Sequence, residues 1–314
     1  MKQSVIIALA LLLCLLLIGG AAAEDTQKLP EMGLILQELG EEAYIETYRY
    51  LQEGNTIRKG DKSDYGKALQ TLLSQAGYTI TIDGSFGAKS VGVLNTVQEA
   101  LGLKTTNAVN AECFRSLATY LWCIRFPDKA EAVAGELNSD EMWHYAGCGR
   151  MKEGRYWLAQ KCFEKSGSKI SAKAAKKCVQ PSPVSKELFH RSSTEPNRCS
   201  VFLREQKDSG IAMLKILDET GNTVSLMILT RKGKVTCDLP EGTYMMQVAH
   251  GTAWFGAADA FGEEGMYARI LVNGSEKIKL VMGREYSLYV NPKDADENAV
   301  DLTLEPITWK DFIQ

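Results

Sequence analysis

The stretch Ile80–Ser90, ITIDGSFGAKS, lies between two segments whose apolar residues recur at helical spacing. Upstream, Ala68, Leu69, Leu72, Leu73 and Ala76 share one face of Tyr65–Ala76, and Gly77 follows as a helix-ending residue. Downstream, Val91, Leu94, Val97 and Leu101 share one face of Lys89–Leu101, and Gly102 ends it the same way. Asp83-Gly84 between them is a turn pair: aspartate bonds nearby backbone and glycine accepts positive φ. Phe86 is placed to fold back onto the helical core. Gly87 lets the chain pass closely before Ser90 opens the next helix region. A third, shorter pattern covers Ala111–Leu117 and extends towards Trp122.

Working outward, Glu41–Gln52 places Tyr44, Tyr48 and Leu51 at helical spacing before Gly54, and residues 24–40 read as a linker or short helix. Residues 129–180 are again helical. Glu141–Lys152 and Arg155–Lys165 form an expected antiparallel pair across Glu153-Gly154, followed by Lys169–Val179. Pro181–Asn197 holds three of the eight prolines and is read as a linker. Beyond it the period changes. Short runs such as Cys199–Glu205, Ala212–Asp218, Thr223–Thr230, Lys234–Leu239 and Tyr244–His250, separated by Gly and Pro turns, predict an all-β sandwich.

The N-terminus carries Lys2, an unbroken apolar run Val5–Ile18, and small residues Ala21–Ala23. This predicts a cleaved export signal over 1–23, with an uncleaved anchor as the alternative, and no membrane span in the mature chain. Leucines before Cys14 argue against lipidation there. The net charge of −3 and pI near 5.8 give no basic surface for nucleic acid. Seven cysteines remain after Cys14, an odd number with no C-x-x-C, and the three histidines are scattered. No metal site and no cofactor are expected. A disulfide between Cys199 and Cys237 is expected if their strands are neighbours.

Taken together, Leu69-Gln70, Gly77-Tyr78, Asp83-Gly84-Ser85-Phe86-Gly87, Ser90, Val97-Gln98, Gly102-Leu103 and Leu117 resemble the three-helix peptidoglycan-binding domain. The resemblance covers about 57–118, a fifth of the chain. Thr106-Asn107 stands where the family repeats its Asp-Gly, and Asn110, Cys113 and Phe114 depart from its third-helix pattern. The resemblance implies a noncatalytic wall-binding module with its groove near the Asp83–Gly87 loop. Tyr78, Asp83, Ser85 and Phe86 are its candidate ligand-binding residues.

Trp143, Ala146, Gly147, Gly154, Tyr156, Ala159 and Phe163 resemble one tetratricopeptide-like helix pair, a scaffold or partner surface. Within it, "GCGRM" at Gly147–Met151 looks like the end of the L,D-transpeptidase motif, with Cys148 as the thiolate nucleophile. The histidine before the glycine is Ala146 here, and the segment reads as helix, so no catalytic residue is assigned. Leu239–Val248, LPEGTYMMQV, resembles the turn-and-strand unit of transthyretin-like and carboxypeptidase-regulatory β-sandwiches. His250–Ile270 reads as a long loop. Its Trp254 and Phe255 either plug the sandwich or form a ligand or partner platform.

The expectation is a multidomain α + β chain: signal 1–23, linker and short helix 24–56, peptidoglycan-binding-like domain 57–120, helical segment 121–180, linker 181–197, β-sandwich 198–308 and tail 309–314. Its expected function is noncatalytic peptidoglycan binding in a secreted or wall-associated protein, with a β-sandwich for structural or partner binding. The alternatives are a peptidoglycan-remodelling enzyme using Cys148 and a structural envelope protein whose module has lost wall binding.

Overall fold

Met32, Ile35, Leu36 and Leu39 form the buried face of a first helix, α1 (Met32–Leu39). The computed structural model describes residues 29–197, 199–205, 210–230, 233–289 and 302–314; the expected signal over 1–23 lies outside them. The segment read as linker and short helix thus contributes α1 and α2 (Glu42–Gln52) to the core. Next come α3 (Asp64–Gln75), α4 (Ala88–Ala100) and α5 (Ala111–Arg125), with two short strands, β1 (Ile57–Arg58) and β2 (Ala108–Val109), paired antiparallel. Ser63 caps α3 by accepting from Gly66 N, and Asn110 caps α5 by accepting from Cys113 N.

The boundary expected at 120 falls inside α5, which runs unbroken to Arg125. This helix is engaged along its length. Arg115 and Arg125 donate to the backbone carbonyls of Leu29, Pro30 and Leu39, and Trp122 donates to Glu38, which fastens α1 along α5. Helices α6 (Pro127–Leu137), α7 (Asp140–Lys152), α8 (Tyr156–Ser166) and α9 (Lys169–Ala175) continue from there. One apolar cluster joins Leu29 through Leu94 and Tyr120 to Tyr145 and Cys162, so the three-helix unit shares its core with the helices after it.

The segment read as a linker, 181–197, contains an edge strand, β3 (Lys186–His190). Two prolines just upstream obscure it in the sequence. Strands β4 (Cys199–Glu205), β5 (Ile211–Asp218), β6 (Thr223–Leu229), β7 (Gly233–Leu239), β8 (Gly242–Gly251), β9 (Met266–Val272), β10 (Ile278–Leu280), β11 (Glu285–Tyr289) and β12 (Leu302–Pro306) follow. The larger sheet has the order β12-β9-β8-β5-β6-β3, with β10 also on β8; the smaller is β11-β4-β7. Between them lie Val201, Leu203, Leu214, Ile216, Met227, Val235, Cys237 and Met246. This is a sandwich with one parallel pair among the described residues, β4 with β11.

The outer face of the larger sheet is also covered. Trp157 from α8, Trp254, Phe255 and Phe261 from the β8–β9 connection, and Trp309 and Phe312 pack there on Ile211, Met213 and Ile228. The expected tail is a helix, α10 (Trp309–Ile313), seated on this face and closed by a Thr308–Asp311 capping box. The expected long loop is shorter than read, because β9 begins at Met266 and pairs with β8.

The expected Cys199–Cys237 bridge is absent: both thiols are free. Cys199 stands opposite Leu239 and Cys237 opposite Val201. The two cysteines are therefore diagonal neighbours, about 7–8 Å apart between Cα atoms, beyond ordinary disulfide reach.

Candidate functional site

The Asp83–Gly87 loop is organised by one buried side chain, Gln70 on α3. Its Oε1 accepts from Asp83 N at 3.0 Å and Gly84 N at 2.8 Å. Its Nε2 lies within 3.0 Å of Asp83 Oδ1 and Ser85 O and 3.2 Å from Ser90 Oγ. Gly84 has φ +75°, and a Cβ there would lie 2.9 Å from Ser63 O, so the turn requires glycine. Phe86 is fully buried, and its backbone bonds to Gly60 and Asp61 fix the loop's exit.

The second helix repeats the arrangement. Gln98 Oε1 accepts from Thr106 N at 2.9 Å, and Gln98 Nε2 donates to Thr106 Oγ1 at 3.0 Å and Cys113 Sγ at 3.2 Å. Val109 is fully buried in the role of Phe86. Gln70–Asp83–Ser90 and Gln98–Thr106–Cys113 are thus two versions of one latch. The second version lacks a carboxylate and a hydroxyl at the matching positions. The Leu-Gln and Val-Gln pairs before the two helix-ending glycines are the sequence signal of both latches; their holding role emerges only in three dimensions.

Four of the candidate site residues lie on or beside the loop, with different fates. Asp83 and Ser85 are exposed side by side, with Ser85 N donating to Asp83 Oδ1 at 2.9 Å. Hydrogen bonds from Gln70 and then Ser85 hold the Asp83 carboxyl below its usual range. Phe86 is fully buried, so it shapes the loop from within the core and lies off the surface that Asp83 and Ser85 form. Tyr78 is half-buried, and Lys152 from α7 sits 4.4 Å from its ring centre, covering one face.

Trp254 and Phe255 are removed from surface roles altogether. Both are buried where α8 meets the sandwich, a correction to the platform expected there. The cause is a packing constraint centred on Asp259, which is fully buried. Its carboxylate accepts from Arg155 Nε at 2.6 Å and from Trp157 N at 2.8 Å, capping α8 from the sandwich side. Trp309 Nε1 donates to its backbone carbonyl at 2.9 Å. Gly262, at φ +64°, leaves room for Trp157, whose ring would lie 1.9 Å from a Cβ at that position.

The GCGRM stretch lies within α7. Its glycines serve close packing: a Cβ at Gly147 would fall 2.6 Å from the Phe163 ring, and one at Gly149 would fall 2.6 Å from Cys123 O. Cys148 Sγ does lie 3.7 Å from His144 Nε2, one helical turn away. That nitrogen is also 2.9 Å from Ala100 O, an acceptor only, so it carries the proton. An imidazole protonated there has no lone pair with which to take the thiol proton. Burial pushes the Cys148 thiol up to about 12, opposite to an activated nucleophile.

Residues 65–117 match the family model described as "Putative peptidoglycan binding domain". No curated protein and no solved structure matches the chain. The match covers both glutamine latches and the two loops they hold, which supports cell-wall binding as the role of this part. Among the described residues, no helix is long and apolar enough to cross a membrane.

Proposed function

We propose that this is an exported, noncatalytic protein that holds peptidoglycan at the Asp83–Ser85 surface and presents its β-sandwich to a structural or protein partner. The observation that carries the proposal is the rigid exposure of an ionised carboxylate beside a hydroxyl, held by Gln70 within the matched domain. Such a pair accepts and donates hydrogen bonds to the amides and hydroxyls of a wall polymer without rearranging. The protonated Nε2 of His144 and the raised Cys148 thiol support a noncatalytic role over the remodelling alternative. Exposed Leu302 and Leu304 on edge strand β12 support a partner-facing sandwich.

The test is cosedimentation of the full chain with purified peptidoglycan. Asp83→Ala and Ser85→Ala are expected to reduce the bound fraction severalfold, whereas Lys173→Ala on α9 leaves it unchanged. Equal sedimentation of all four proteins, or none above a control protein, sinks the proposal.

A further inference from the structure

Three potential metal ligands that are scattered in the sequence meet at the sandwich edge: Glu187 and His190 on β3, and Cys237 on β7. On a regular strand, residues three apart point to opposite faces. Here Glu187 pairs with Met227 while Phe189 pairs with Leu226, so Leu188 is an inserted bulge residue. The bulge turns Glu187 and His190 to the same side, towards β7. His190 Nδ1 lies 2.9 Å from Glu187 Oε1 and 3.7 Å from Cys237 Sγ. One ligand atom from each residue lies within 4.8 Å of the others. Ser225 Oγ, fully buried behind them, donates to Glu187 Oε1 at 2.6 Å and fixes the carboxylate.

We propose that Glu187, His190 and Cys237 bind a zinc-class divalent transition-metal ion with one coordination position open to solvent. A tetrahedral ion with Zn–N near 2.0–2.1 Å and Zn–S near 2.3 Å sets its ligand atoms roughly 3.3–3.6 Å apart. The imidazole–thiol spacing of 3.7 Å is within about 0.1 Å of this range, and the carboxylate oxygen, 2.9 Å from the imidazole, moves back from it by a few tenths of an ångström on binding. The donor set is selective, because thiolate and imidazole disfavour magnesium and calcium. The charges balance: one carboxylate and one thiolate neutralise the dication, and the imidazole binds uncharged. Binding replaces the Cys237 thiol proton, which leaves to solvent. Cys237 is buried while His190 and part of Glu187 reach the surface, so the open position faces outward. The ion joins β3 of one sheet to β7 of the other, at an edge held otherwise by side-chain packing.

The test uses the reduced full chain, stripped with chelator and titrated with Co²⁺ alone. The expected result is thiolate-to-cobalt charge-transfer absorption that saturates at one ion per chain and is bleached by Zn²⁺. Cys237→Ser abolishes the band, Cys199→Ser retains it, and His190→Gln weakens Co²⁺ binding at least about tenfold. Circular dichroism checks that each variant is folded. If Cys237→Ser does not fold, His190→Gln and Glu187→Gln on the accessible edge strand decide the matter. Absence of the band in the parent chain, or unchanged Co²⁺ affinity in both edge-strand variants, overturns the proposal.

Discussion

Replacing Gln70 with alanine removes the amide that bonds Asp83, Gly84, Ser85 and Ser90. The Gly84 N–H is buried and loses its acceptor, which alone costs about 1–3 kcal/mol. The Asp83 N–H and the Ser85 carbonyl lie nearer the surface and recover water, so the remaining losses add about 1 kcal/mol. The total is about 2–4 kcal/mol. For a cooperative unit the size of the helical half, this corresponds to a fall of roughly 5–15 °C in Tm. Gln98→Ala is the internal control: it loses one backbone N–H contact, at Thr106, an exposed residue, and is expected to cost about 1–2 kcal/mol. Both variants are measured by thermal denaturation and by peptidoglycan cosedimentation at a temperature where they remain folded. Gln70→Ala is expected to lose binding while Gln98→Ala keeps it, because only the first latch positions Asp83. A Gln70→Ala cost below about 1 kcal/mol, or equal binding by the two variants, refutes the latch as the organiser of the surface.

Gly262→Ala combines a left-handed backbone with a clash against Trp157, and is expected to cost about 2–5 kcal/mol in urea unfolding. Adding Trp157→Ala relieves the clash, so the double mutant is more stable than additivity requires; strict additivity contradicts the assignment. Asp259→Ala leaves Arg155 and the α8 N-terminus without their buried acceptor and is expected to cost about 3–5 kcal/mol, read as protease sensitivity at Arg155 and in the 176–185 segment. His144 has its pKa lowered, mainly by burial. The unfolded chain therefore takes up the proton first, and stability falls as pH drops through about 6.5, the unfolded value. His144→Gln flattens that pH dependence, and an unchanged slope counts against it.

The local devices were legible in the sequence. Asp83-Gly84, Gly77 and Gly102 mark turns and helix ends whose geometry depends on neighbouring residues alone. The alternation in Val235–Leu239 likewise gives its strand directly. What escaped depends on distant partners. Strand β3 is an edge strand between proline-rich flanks and owes its existence to β6. Helix α1 and helix α10 are too short to be stable alone, and each is held by residues far away in sequence. In sequence, Trp254 and Phe255 are readable either as a plug for one end of the sandwich or as a platform. Asp259 and Trp157, about a hundred residues apart, instead draw this segment onto the outer face of the larger sheet, where both rings are buried. The cysteine pairing failed on register, which turn lengths and bulges set and residue identity does not.

Helix α5 begins inside the stretch that matches the peptidoglycan-binding family model and ends beyond it, with no hinge residue between. A load applied at the Asp83 loop would pass through Gln70 and α3 to α5, and along that helix into the shared helical core. From there it crosses the Asp259 cap into the sandwich. The wall polymer would act on this protein as a clamp acts on a bracket: it fixes bearing as well as position. Edge strand β12 would then face a set direction relative to the glycan surface, and a partner docking there would be aligned with the wall as well as held near it.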